Sequence, residues 1–108
     1  MKLHIKDRLY ILQLLPATGN FMEFALKRSI TNKVAITKED QEKYEFKEVS
    51  EENKILWNSE RDAQEPLDVD FTLDELKYLR KSCEAVVDSP KTDDFWQTVE
   101  KIYDQIPQ

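Results

Sequence analysis

Apolar residues along the chain fall into two rhythms, and the change between them divides the sequence. In residues 3–15, Leu3, Ile5, Leu9, Leu12 and Leu15 recur at helical spacing, with Tyr10, Ile11 and Leu14 widening the stripe. A strand competes there because Ile and Tyr favour sheets. The period outweighs the propensity, so a helix is expected up to Pro16, which stops it. Ala17-Thr18-Gly19-Asn20 reads as a turn. Gly19 is the sole glycine, so the backbone is expected to need positive φ or a close approach there. Asn20 can cap a second helix, Phe21 to about Ile30, with Glu23 at N3 to bond back. Lys27 and Arg28 stand in its last turns. Residues 31–36 form a connector, extended at Val34-Ala35-Ile36. Thr37 then caps a short polar helix over Lys38–Lys43.

From Tyr44 the period becomes two. Tyr44 and Phe46 alternate with Glu45 and Lys47, Ser50–Asn53 is a turn, and Ile55 and Trp57 alternate around Leu56. This pattern predicts a hairpin. Asn58 to Pro66 reads as a polar loop. Leu67, Val69 and Phe71 alternate with Asp68 and Asp70 as a third strand. Thr72-Leu73-Asp74-Glu75 is the sharpest local signal: a capping box, with Phe71 placed to staple onto Leu76. Leu76, Leu79, Cys83, Val86 and Val87 make an amphipathic stripe that Asp88-Ser89-Pro90 ends. Thr92 caps a last helix whose apolar face is Phe95, Trp96, Val99, Ile102, Tyr103 and Ile106. The order is three helices, about three antiparallel strands, then two helices. The fold class is α+β, in a single domain over residues 1–108.

Composition sharpens this by exclusion. The chain has 108 residues, with 40% apolar and 10% aromatic residues, too many for a disordered chain. One Cys, one His and one Gly remove disulfide frameworks, cysteine zinc sites, His-rich metal centres and glycine-rich phosphate loops. The opening Met1-Lys2-Leu3-His4-Ile5-Lys6-Asp7-Arg8 has no secretory apolar core. The longest apolar stretch, Leu9 to Leu15, is far short of the ~20 residues that span a bilayer. A soluble protein of a reducing cytoplasm is expected, away from membranes.

The net charge of -6 hides a segregation. Residues 1–36 hold six basic and two acidic side chains, residues 37–75 five and fourteen, and residues 76–108 five and six. Either the first two segments neutralise each other or face water separately, or they form a bipolar surface that serves assembly.

The helical N-terminal half invites comparison with a winged helix-turn-helix, Thr37–Lys43 being the recognition helix. That helix offers Glu39, Asp40 and Glu42 against Lys38 and Lys43, the wrong sign for phosphates. Nucleic acid is therefore disfavoured as a partner. In that alternative, Lys27, Arg28 and Lys33 would make the contacts. A second alternative is a small metal-dependent enzyme. Asp68 and Asp70 would share one strand face and could hold a divalent cation, but two carboxylates without a third ligand read as a wet strand face. Cys83 sits in an apolar stripe and reads as a buried thiol, while His4 sits at or just before the first helix as a partial cap. Trp57 and Trp96 are expected as core anchors. No catalytic, cofactor-binding or metal-binding residue is assigned.

The run Ile5-Lys6-Asp7-Arg8-Leu9, then Leu14-Leu15-Pro16-x-x-Gly19-Asn20-Phe21, Tyr44-Glu45-Phe46-Lys47 and Trp57-Asn58, resembles a family of small uncharacterised proteins from phages and prophages. The resemblance spans most of the chain. It implies a viral or mobile-element context and carries no catalytic residues. The expected function is non-enzymatic: protein–protein binding or assembly, with a protein partner or self-association and no cofactor.

Overall fold

A computed structural model describes residues 1–49, 51 and 54–106. Its elements run β1 (Lys2–Leu3), α1 (Ile5–Leu14), α2 (Phe21–Val34), α3 (Lys38–Lys43), β2 (Lys47–Val49), β3 (Lys54–Leu56), α4 (Ser59–Gln64), β4 (Leu67–Asp68), α5 (Leu73–Ala85) and α6 (Asp93–Gln105). This is the expected α+β class with small antiparallel sheets. The four long helices touch in a closed ring, α1 on α2, α2 on α5, α5 on α6 and α6 on α1. The side-chain ties described below make each neighbouring pair antiparallel. α3, β2, β3, α4 and β4 form one excursion between α2 and α5. β4 brings it back to β1, in the antiparallel register Lys2↔Asp68 and Leu3↔Leu67. The core lies inside the ring: Ile11 and Leu14 of α1, Ile30 and Val34 of α2, Leu79 and Cys83 of α5, and Phe95, Val99 and Ile102 of α6.

The helix starts fall close to where the cap residues placed them. Asn20, Thr37, Thr72 and Thr92 each accept a hydrogen bond from the backbone amide three residues on. α1 begins at Ile5 rather than Leu3, with His4 at its N-cap position. Leu3 belongs to the short strand β1 and is fully buried. α2 runs four residues beyond the expected Ile30, to Val34, because Ile30 and Val34 both reach the core.

Three expectations here need correction. Tyr44 is not a strand residue: it closes α3, is buried, and its hydroxyl donates to the Glu65 carbonyl. After it the chain makes a Schellman turn, with the Phe46 amide bonding the Gln41 carbonyl and the Glu45 amide bonding the Glu42 carbonyl. Glu45 takes φ 54°, the left-handed position that glycine usually fills. Gly19, by contrast, has no positive φ. It is there for close approach: a Cβ on it would lie 3.1 Å from Glu23 Cβ. The polar loop at residues 58–66 contains α4, capped by Asn58 through the Arg61 amide at 3.1 Å. The third strand stops at Asp68, so Val69 and Phe71 reach the core from extended chain and Asp70 lies outside the strand. The expected hairpin exists as β2 on β3, registered Lys47↔Leu56 to Val49↔Lys54. Of the turn expected between them, Ser50, Glu52 and Asn53 lie outside the described residues.

Buried ions hold the helices together. Arg8, only 1% exposed, caps the C-terminal end of α2. Its Nε donates to the Val34 carbonyl at 2.9 Å, and its Nη2 to the Ala35 carbonyl and to Asp40 Oδ2, both at 2.7 Å. Those carbonyls are groups that a helix end leaves without internal partners. Asp40 is meanwhile the N3 acid of the α3 capping box. The same double use recurs. Asp7, bonded by the His4 amide, accepts from Lys101 at 2.5 Å and Thr98 at 2.9 Å on α6. Glu75, bonded by the Thr72 amide, accepts from Lys33 at 2.5 Å and Ser29 at 2.7 Å on α2. Glu23, bonded by the Asn20 amide, accepts from Lys81 of α5 at 3.2 Å. Asp62 of α4 accepts from the Ile5 amide at 3.0 Å, so the excursion also satisfies the start of α1.

Burial pushes the carboxyls of Asp7, Asp40 and Glu75 up, but the hydrogen bonds and cations facing them outweigh it and hold all three below the usual carboxylate range. Their stabilisation is therefore complete above the unfolded values of about 3.9–4.3 and is lost as pH falls through the lower folded values. Thermal melting followed by circular dichroism should show a flat melting temperature between pH 5 and 7 and a fall below about pH 4. Glu75→Gln should flatten part of that acid decline. Arg8→Met removes the cation from Asp40, which keeps only its bonds from Thr37, and the donor from two carbonyls, and should cost about 3–5 kcal/mol in urea denaturation. Leu73→Ala, at an exposed position, should stay within about 0.5 kcal/mol.

Candidate interaction surface

The two most exposed large apolar side chains among the described residues, Phe21 and Met22, stand with Phe24 at the start of α2. Phe21 is 79% exposed, Met22 69% and Phe24 49%. The cap explains why the helix starts there, since Asn20 and Glu23 fix its first turn whatever its neighbours do. The 3.6-residue period then divides α2. Leu26, Ile30 and Val34 turn inward, while Phe21, Phe24, Arg28 and Asn32 follow one another down the outside. The Arg28 guanidinium lies 5.7 Å from the centre of the Phe24 ring and makes no ion pair among the described residues. The stripe is apolar at its start and cationic a turn later.

The three residues tied to the nucleic-acid alternative do not share a face. Lys33 stands about 240° around the helix from Lys27. Lys33 is turned onto α5, where it binds Glu75 and the Asp70 carbonyl at 3.0 Å. Lys27 donates to the Pro16 carbonyl at 3.1 Å. Only Arg28 projects freely. The basic N-terminal segment is partly spent in ion pairs: Arg8 and Lys33 pair with acids of the middle segment, and Lys6 lies 3.7 Å from the exposed Asp94. Neutralisation accounts for part of the charge segregation: among the described residues, two of the six basic side chains of residues 1–36 pair with acids of residues 37–75.

A second feature lies along the seam of α5 and α6. Cys83, Val87, Trp96, Val99 and Tyr103 line an open groove of about 370 Å³, rimmed by Glu84, Glu100 and Asp104. Glu84 is taken: Arg80 donates to it at 3.2 Å and lies 5.3 Å from the Tyr103 ring centre. Glu100 and Asp104 are exposed and have no hydrogen bond or ion pair among the described residues. They are one turn apart, and Asp104 is in the last turn of α6, where the helix dipole disfavours an anion. Val87, expected in the buried stripe, is 62% exposed at the lip of this groove. Trp96 lies half-buried in it instead of in the core. Trp57 is also outside the core, stacked on Phe46 of the hairpin segment with ring centres 5.9 Å apart.

The remaining candidates offer little chemistry. Cys83 is buried, and burial pushes its thiol up to about 11. His4 lies elsewhere, at the start of α1, with its Nδ1 2.9 Å from Lys101 Nζ. Asp68 lies 3.4 Å from the amino group of Met1, and Asp70 contributes its carbonyl to Lys33. Among the described residues no group of three or more His, Cys, Asp or Glu side chains is placed to hold a metal ion. No described helix is long and apolar enough to cross a membrane. A shallow shelf of about 480 Å³ between Tyr10, Gln13, Pro90, Lys91, Thr92 and Phe95 is open to solvent.

No protein family, no curated protein and no solved structure matches the chain.

Sequence had pointed to Phe21, Met22 and Phe24 only as helix formers. Their spacing, two adjacent residues and a third two on, puts them across the outer side of α2, and that was the available signal. The groove had no such signal, because it depends on how two helices lean together.

A thiol held up to about 11 and shielded by the core should react slowly with a disulfide reagent at pH 7.5. Labelling of Cys83 is expected to speed up across the urea unfolding transition and to follow it. Rapid labelling of the native protein would show that the α5–α6 seam opens.

Proposed function

We propose that the protein works by binding protein, as an assembly or adaptor component and not as an enzyme, and that the outer face of α2 is the surface it uses. The supporting observation is the exposure of Phe21, Met22 and Phe24 beside an unpaired Arg28. Exposed apolar area costs about 25 cal/mol per Å² to keep in water. Contiguous patches of it mark interaction sites, and Phe, Met and Arg are the side chains that interfaces favour. The first turn of α2 is capped without these residues, so the fold does not need them there. The phage and prophage context implied by the sequence resemblance fits a small non-catalytic component of a larger assembly, in the cytoplasm where such proteins are made. The nucleic-acid reading draws no comparable support, because its three cations diverge.

The test compares the wild-type chain with a Phe21→Ser/Phe24→Ser double variant. Both are measured by sedimentation alone and by affinity capture from a lysate of cells carrying the gene. The wild type is expected to form a complex, with itself or with a captured protein, that the double variant loses while melting within a few degrees of wild type. A wild type that stays monomeric to about 1 mM, the range of the weakest associations, and captures nothing the variant does not, would remove the proposal.

A further inference from the structure

We infer that the partner of the α2 stripe is the α5–α6 groove of a second copy of this chain, in a head-to-tail contact. The inference rests on the reading of α2 as a binding surface and names its occupant.

The two patches complement each other in chemistry. The stripe offers Phe21 and Phe24, then the cation Arg28, which lies over the Phe24 ring and has no ion pair among the described residues. The groove offers the apolar Val87, Trp96 and Val99, then the free acids Glu100 and Asp104. They also agree in length. Phe21 to Arg28 covers about 10 Å of helix and Trp96 to Asp104 about 12 Å. Laid parallel to α6, α2 of one copy sets its aromatic turn against Trp96 and Val87 of the next and its Arg28 between the two carboxylates.

Neither acid is placed for the benefit of its own helix. Like charges one turn apart repel, and Asp104 also opposes the dipole. A guanidinium from another copy relieves both penalties, and arginine suits the task because its fork can meet two carboxylates. The groove volume of about 370 Å³ falls in the range of sites that enclose a ligand. Charge complementarity of this kind fixes orientation and suppresses wrong pairings.

Stripe and groove are different surfaces of one molecule, so the contact is heterologous. It propagates into a chain or closes into a ring, unlike a two-fold dimer. That difference makes the test sharp. Phe24→Ser/Arg28→Ser destroys the stripe and keeps the groove, while Glu100→Arg/Asp104→Arg destroys the groove and keeps the stripe. All four positions are solvent-facing, and circular dichroism melting confirms folding of each variant.

Sedimentation should show wild-type protein forming a concentration-dependent series of oligomers. Each variant alone should be monomeric, its self-association weakened about tenfold or more. Mixed, the two variants should form a 1:1 heterodimer that grows no further, because one intact stripe meets one intact groove. Three outcomes would overturn the inference. If the groove variant self-associates like wild type, the groove is not the occupant, and α2 binding survives as a reading. If the variants are monomeric but the mixture makes no heterodimer, the contact is not head-to-tail. If wild type is monomeric to about 1 mM, a second copy is not the partner, and the α2 reading rests on the capture experiment alone.

Discussion

The constraint on which the structure depends is that its helix-capping acids serve two masters. Asp7, Glu23, Asp40 and Glu75 each close the first turn of one helix and each receive a cation from another. The cations are Lys101, Lys81, Arg8 and Lys33 respectively. A cap alone would fix where a helix begins, and an ion pair alone would contribute little at a surface. Joined, they fix where each helix begins relative to its neighbour. Three of these acids are removed from bulk water or nearly so, and their lowered pKa values record how fully the charge is met. Arg8 is the most demanding member. It is buried along its length, and its Nη1 finds no partner among the described residues. A buried ion of this kind does little for net stability but tolerates few alternative packings.

This explains what could be read from the sequence and what could not. Caps are local, and Asn20-x-x-Glu23, Thr37-x-x-Asp40 and Thr72-x-x-Glu75 are visible in a string of letters. So are the 3.6-residue periods of the long helices, and the α+β class follows from them. The second bond of each acid joins residues 32 to 94 apart in sequence, and no local pattern encodes it. The same limit hid Arg8, which sits on the inner face of α1 where a period-based reading expects an aliphatic side chain. It also put Tyr44 in a strand, because its role is set by the Glu65 carbonyl and by the left-handed turn at Glu45.

The charge segregation takes on a different meaning in this light. Two basic residues of the first third, Arg8 and Lys33, meet Asp40 and Glu75 inside the fold, so part of the apparent bipolarity is consumed in folding. Arg28 beside two exposed phenylalanines on α2, and Glu100 with Asp104 beside an apolar groove, are among the charged groups left without an ion pair within the described residues. The buried ions are closely paired, whereas these exposed groups make no ion pair among the described residues and Arg28 rests on the Phe24 ring. Exposed apolar faces were harder to read from the sequence than the fold because exposure is a property of packing. Phe21 and Ile30 look alike as letters, and only the rotation of α2 against α5 separates them.

Hydrogen–deuterium exchange of the wild-type protein at dilute and concentrated conditions puts the account to its most direct trial. Amides over residues 21–28 of α2 and 96–104 of α6 should gain protection together as concentration rises, with the hairpin at residues 47–56 unchanged. Exchange that is independent of concentration, or protection gained at the hairpin instead, would contradict it.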